Sequence, residues 1–186
     1  MTGTFRTSRI VSAVDPSKPH LVLVGLPGSG KTTVGGMVAE KLGKAFLDFD
    51  AEIERREGKT ISEIFGEKGE GYFRELERKL TEELKDIGDM VVSPGGGWIT
   101  NPEVVALIRP PAKLIYLRVR PETAVTRLGS SGGGRPLLNR PDPLGELKNL
   151  FEARKLMYQA ADHEVSAELL TPEQVTEKVV AFVKGA

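Results

Sequence analysis

The chain has 186 residues, a length that suits one domain with a sizeable core. Charged residues make up 28% and apolar residues 39%, and 26 Lys and Arg offset 26 Asp and Glu, so no basic excess points to nucleic acid or an anionic membrane. With no cysteine and two scattered histidines, disulfides, thiolate chemistry and a zinc site drop out, and no apolar run nears the roughly 18 residues of a membrane span.

Residues 1–19 are rich in Ser, Thr and Arg and lack the apolar stretch of a secretion signal. They are poor enough in acid to compare with a transit peptide, but are short and not clearly amphipathic. A disordered N-terminal extension ahead of a single domain over 20–186 is expected, with a cytoplasmic location. His20 to Val24 reads as a buried strand and Lys31 to Leu42 as a helix stopped by Gly43. Between them lies Gly25-Leu26-Pro27-Gly28-Ser29-Gly30-Lys31-Thr32, which fits G-x-x-x-x-G-K-[ST], the phosphate-binding loop. A strand-to-helix turn is where such a loop belongs. Its N–H groups can wrap a phosphate, helped by the positive end of the helix dipole. Lys31 can reach β- and γ-phosphates, and the Thr32 hydroxyl can ligate Mg²⁺.

Ala45-Phe46-Leu47 predicts a second strand, ending at Asp48-Phe49-Asp50, with a helix from about Ala51 to Glu57 before Gly58. Two acids one residue apart point the same way in an extended segment. One carboxylate can serve Mg²⁺ through water while the other accepts a proton from an attacking hydroxyl. The alternative is that these acids cap the next helix, as Asp50 could. Thr60-Ile61-Ser62-Glu63 is a capping box opening a short helix expected to close at Gly66. From Glu70 to Ile87 a helical stripe of Phe73, Leu76, Leu80, Leu84 and Ile87 recurs.

Met90 to Ser93 predicts a third strand running into Pro94-Gly95-Gly96-Gly97-Trp98. Glycines at a strand end let a ligand or another backbone come close, although a loose turn reads the same way. Asn101-Pro102 opens a helix, Leu114 to Leu117 is a fourth strand, and Pro121 starts the next helix. Gly129 to Gly134 is a Gly/Ser tract that could close over a phosphate and carry Arg135 with it. A long helix over about Pro143 to Ala161, a weak strand at His163-Glu164-Val165 and a helix capped at Thr171-Pro172-Glu173-Gln174 complete the chain. Strands alternating with helices give an α/β fold with a parallel sheet, whose ligands bind at the carboxyl ends of the strands. From spacing alone Arg74, four residues after Glu70, and Arg154, beside Glu152, read as solvated surface.

Taken together, Gly25 to Thr32, Phe46 to Asp50, Gly69-Glu70-Gly71-Tyr72-Phe73-Arg74 with Glu75, Ser93 to Gly97, Arg135-Pro136-Leu137-Leu138 and Arg154 ahead of Tyr158 resemble the shikimate kinase family, over nearly everything after Pro19. The resemblance implies a three-layer phosphate-loop kinase fold with five parallel strands ordered 2-3-1-4-5. A substrate-binding subdomain would span about 49–78 and a lid about 129–141. It implies transfer of the ATP γ-phosphate to the 3-hydroxyl of shikimate, with Mg²⁺, by a protein expected to be a monomer. In that scheme Lys31, Asp50 and Arg135 are catalytic. Gly28, Ser29, Gly30, Lys31, Thr32, Thr33, Arg127 and Arg135 hold ATP. Asp50, Arg74, Gly95, Gly96, Gly97 and Arg154 hold shikimate, and Thr32 and Asp48 (through water) serve the metal. The chain departs from the family after its last strand, where Ser166-Ala167-Glu168 stands in a region that often carries a second adenine-side arginine. Trp98 stands where smaller residues are common, and could crowd or line the substrate site. The rivals are another kinase of a hydroxylated carboxylate, such as gluconate kinase, and a non-catalytic nucleotide-dependent binding module.

Overall fold

The structure, a computed structural model, describes residues 17–130 and 140–185. Five parallel strands form one sheet in the order β2-β3-β1-β4-β5. They are β1 (Leu21–Val24), β2 (Ala45–Asp48), β3 (Met90–Ser93), β4 (Lys113–Arg118) and β5 (His163–Ser166). The helices are α1 (Lys31–Leu42), α2 (Phe49–Glu57), α3 (Ile61–Leu84), α4 (Pro102–Ala106), α5 (Pro121–Ser130), α6 (Pro143–Gln159) and α7 (Pro172–Gly185). A 3₁₀ turn at Trp98–Thr100 precedes α4.

β1 sits at the centre, paired with β3 through Leu21↔Val91 and with β4 through Val22↔Leu114. Helices cover it on both sides, so all four of its residues are buried and its sequence is an unbroken apolar run. α1 packs on the sheet and on α7, and α5 packs on α6. Each strand points the same way, so the turns after β1, β2 and β3 open onto one edge. Gly43 ends α1 and Gly58 ends α2 in left-handed conformation, as their positions predict.

α3 differs from the sequence reading. The break expected at Gly66 comes later, at Gly69 (φ 77°, ψ 174°), a non-helical residue at which Ile61–Leu84 is kinked into two helical segments. The Thr60 capping box opens it: Thr60 Oγ1 accepts from Glu63 N at 3.2 Å and Thr60 N donates to Glu63 Oε2 at 2.7 Å. Ile64 before the kink and Phe73, Leu80 and Leu84 after it all enter the core, so packing holds both segments while Gly69, free to take a positive φ, makes the break. His20 fastens the lower end of the sheet. Its Nε2 donates to Leu84 O at 3.0 Å and its Nδ1 accepts from Met90 N at 3.3 Å.

Candidate active site

The turn between β1 and α1 is the phosphate-binding loop the sequence predicts. It is held by Ser29 N donating to Leu26 O at 3.1 Å and Val34 N to Gly30 O at 2.9 Å. Gly28 takes φ 83°, and a Cβ there would lie 2.5 Å from Ala124 O, so the loop rests directly on the backbone of α5. Lys31 is buried, with Nζ donating to Gly25 O at 2.9 Å and Leu26 O at 3.0 Å. Ser29 Oγ is buried in the same loop with no hydrogen-bond partner. An orphaned hydroxyl beside a lysine that rests on carbonyls is the polarity a phosphate would satisfy. Gly28 to Thr33 line a cleft of about 420 Å³, closed on its far side by Arg127, Ala167 and Leu170.

Asp48 ends β2 and also caps α2: its Oδ1 accepts from Ala51 N at 3.1 Å. Its Oδ2 accepts from Thr32 Oγ1 at 2.6 Å. This corrects two expectations. The helix begins at Phe49, so Asp50 lies in its first turn and does not share an extended segment with Asp48; and the capping carboxylate is Asp48, not Asp50. The physical reason is the cap itself, which turns the chain as soon as β2 ends. A paired hydroxyl and carboxylate beside a phosphate loop suit Mg²⁺, which keeps several waters and takes few protein oxygens. Among the described residues no group of three or more His, Asp or Glu gathers as a closed metal cage.

The second half of the site is built around Gly95–Gly97. A Cβ on Gly95 would lie 2.6 Å from Glu77 Oε1 and 3.3 Å from Asp50 Oδ1, and one on Gly96 would lie 3.1 Å from the Pro27 ring of the phosphate loop. On Gly97 it would fall into the Arg74 guanidinium. Arg154 Nη1 donates to Gly96 O at 2.9 Å, and Tyr158 Oη donates to the same oxygen at 3.2 Å. The glycines are thus a surface pressed by side chains from α2, α3 and α6. The structure brings Asp50, Arg74 and Arg154 together, although Arg74 and Arg154 look like surface residues by spacing.

Arg74 does pair with Glu70, Nη2 to Oε1 at 2.8 Å, as that surface reading expects. It also donates through Nη1 to Glu77 Oε2 at 2.6 Å, and Glu77 is only 2% exposed. Glu77 Oε1 is buried with no hydrogen-bond partner. Burial pushes the Glu77 carboxyl up to about 7, against the charge and hydrogen bond of Arg74, with Asp50 pushing it further up and Arg154 pulling it down. Sequence reasoning missed this residue. Its signal is an acid inside the buried stripe of α3, one turn after Phe73 and one before Leu80.

Trp98 is buried at 1% exposure, and its Nε1 donates to Thr81 Oγ1 at 2.9 Å. Thr81 in turn donates to Glu77 O at 2.8 Å. The indole therefore braces the glycine turn against α3. Arg127 donates through Nη2 to Ala167 O at 2.7 Å and Glu168 O at 3.3 Å, the backbone of the loop after β5. Arg135, expected at the transferring phosphate, lies outside the described residues, as do residues 131–139 of the expected lid. No described helix is long and apolar enough to cross a membrane.

Comparison with known proteins places this architecture. The family model described as shikimate kinase matches residues 27–184. A shikimate kinase of Sulfurihydrogenibium sp. is 41% identical over 165 residues, 89% of this chain and 98% of that protein. A solved shikimate kinase from Acinetobacter baumannii, in complex with shikimate, superposes with TM-score 0.84 at 33% identity, covering 91% of this chain and 95% of that one. The Aquifex aeolicus enzyme does so with TM-score 0.76 at 36% identity, covering 89% and 96%. A gluconokinase from Sinorhizobium meliloti shares the fold alone, with TM-score 0.60 at 16% identity over 90% of this chain and 92% of that one. On the family match over most of its length and on relatives of this identity and coverage, the chain belongs to the shikimate kinase family.

Proposed function

We propose that this protein transfers the γ-phosphoryl group of ATP to the 3-hydroxyl of shikimate, as a monomeric cytoplasmic enzyme using Mg²⁺. The observation that carries the reading is the Gly95–Gly97 turn, which Pro27 of the phosphate loop touches from one side and Asp50, Arg74 and Arg154 from the other. Phosphate and carboxylate recognition thereby meet across one short backbone segment. Arg74 and Arg154 present planar forks suited to a carboxylate. The glycine backbone leaves room for a ring to lie flat. Asp50, exposed in the first turn of α2, orients the acceptor hydroxyl and takes its proton. Lys31 exchanges its two loop carbonyls for β- and γ-phosphate oxygens, and Ser29 gains the partner it lacks. Thr32 and Asp48 would hold Mg²⁺, which neutralises phosphate charge when bound. Arg135 is assigned to the transferring phosphate by sequence resemblance.

The test is coupled ADP release with shikimate, with gluconate and with neither. Turnover with shikimate alone is expected. Faster turnover with gluconate would move the substrate assignment to the rival kinase class, and silence in all three arms would leave a nucleotide-binding module.

A further inference from the structure

In the loop after β5, Glu168 is neither solvated nor idle. Its side chain is 14% exposed. One carboxylate oxygen accepts from Arg120 N at 2.8 Å, and the other accepts from Arg120 Nε at 3.0 Å and from the Thr123 hydroxyl. Arg120 immediately precedes α5 and Thr123 lies in its first turn, so the carboxylate satisfies donors at the start of that helix. Burial alone would raise the Glu168 carboxyl, but the Thr123 and Arg120 donors outweigh it and hold it low, so it stays charged. Further along α5, Arg127 returns the contact by donating to the carbonyls of Ala167 and Glu168. Loop and helix are therefore joined twice, once from each partner.

The same helix supports the phosphate loop. Gly28 rests on Ala124 O, between Thr123 and Arg127 in sequence. α5 is the common reference for the phosphate end and the far end of the cleft. The guanidinium of Arg127 is aimed by the loop carbonyls, and the loop is aimed by the Glu168 carboxylate.

We propose that Glu168 is a positioning residue for the nucleotide base: it latches the 166–170 loop to the start of α5, which fixes the Arg127 plane and its span from the phosphate loop. This rests on the reading of the cleft as the ATP site. The acid holds the loop whose carbonyls hold Arg127 still. A base stacks on a guanidinium plane only while that plane is held. Losing the latch taxes base binding and leaves the phosphate contacts alone.

The experiment compares Glu168→Ala and Thr123→Val with wild type by titration calorimetry, using Mg-ATP, Mg-tripolyphosphate and shikimate as separate ligands. Tripolyphosphate reaches the phosphate loop but has no base. Glu168→Ala is expected to weaken Mg-ATP roughly tenfold, the scale of one charge-assisted hydrogen bond, with tripolyphosphate and shikimate within about twofold. Thr123→Val, which removes one donor and little volume, is expected to weaken Mg-ATP by roughly threefold and to decide the matter if the alanine variant does not fold. Unchanged Mg-ATP affinity, or equal weakening of all three ligands, overturns the proposal. Failure of wild type to bind tripolyphosphate would instead reject the phosphate-loop reading beneath it.

Discussion

Glu77→Gln isolates a buried carboxyl that is costly to ionise. The carboxyl is 2% exposed, has one oxygen on Arg74 at 2.6 Å, and has the other without a partner. Its proton affinity rises from an ordinary 4.5 to about 7 on folding. That difference corresponds to roughly 3 kcal/mol at about 1.4 kcal/mol per tenfold change in proton affinity. Below 4.5 the group is protonated in both states and adds no pH dependence. Between 4.5 and about 7 the folded protein keeps a proton that the unfolded chain has released, so stability falls as pH rises. Above about 7 the loss is complete. Glutamine cannot titrate, and all other groups cancel in the difference between wild type and variant. Urea unfolding of both proteins at several pH values is the assay. The variant should gain about 3 kcal/mol relative to wild type from the acid to the alkaline end. Two parallel profiles, agreeing within about 0.5 kcal/mol in slope, would refute the argument. Removing Arg74 as well tests its sign: Arg74 pulls the Glu77 carboxyl down, so Arg74→Ala should move the window to higher pH, and adding Glu77→Gln should abolish it.

Four further outcomes are expected. Lys31→Ala, which removes the cation from the phosphate loop, should cut kcat by ~10²–10³ while far-ultraviolet circular dichroism stays native; near-normal turnover would reject the loop assignment. Asp50→Asn should lower kcat by roughly 10²-fold with melting temperature and ATP binding kept. Asp48→Ala should cost roughly 1 kcal/mol in urea unfolding through loss of the α2 cap, and equal unfolding effects at the two positions would contradict the assignment of the cap to Asp48 alone. Thr81→Val leaves the Trp98 N–H buried without an acceptor, for about 1–3 kcal/mol of lost stability by chemical denaturation, and an unchanged midpoint would sink that reading.

The order of elements was readable because the strands before β5 are built on short apolar runs and each helix carries its own start or stop. Thr60 and Thr171 form capping boxes, Asn101-Pro102 opens α4, and Gly43 and Gly58 are left-handed stops. The weakest strand, at His163, also forms, as the edge partner of β4. What failed was local in evidence and tertiary in cause. Gly66 looks like the stop, yet the segment that anchors Ile64 in the core runs past it and breaks at Gly69, ahead of the segment that anchors Phe73. Asp48 and Asp50 look like a matched pair only while the strand is assumed to continue past the cap. Arg74 shows an i, i+4 partner in the sequence, but its contact with Gly97 depends on how β3 delivers the glycine turn to α3, which spacing does not encode. Trp98, a candidate to line the substrate site, turns inward because Thr81 offers its indole an acceptor.

That inward tryptophan makes the enzyme its own spectroscopic instrument. It is the single Trp in a chain with no Cys. Its ring sits beneath the glycine turn at 1% exposure, so its emission comes from one apolar environment and is shielded from dissolved quenchers. A ligand that shifts the Gly95–Gly97 backbone changes the surroundings of that one emitter and of no other. The empty thiol background allows an acceptor dye to be placed at will. Leu169, 91% exposed on the loop that Glu168 anchors, is a natural position for a cysteine carrying it. Energy transfer between the two would follow the base end of the cleft from the floor of the acceptor end, during turnover and without altering any residue of the chemistry.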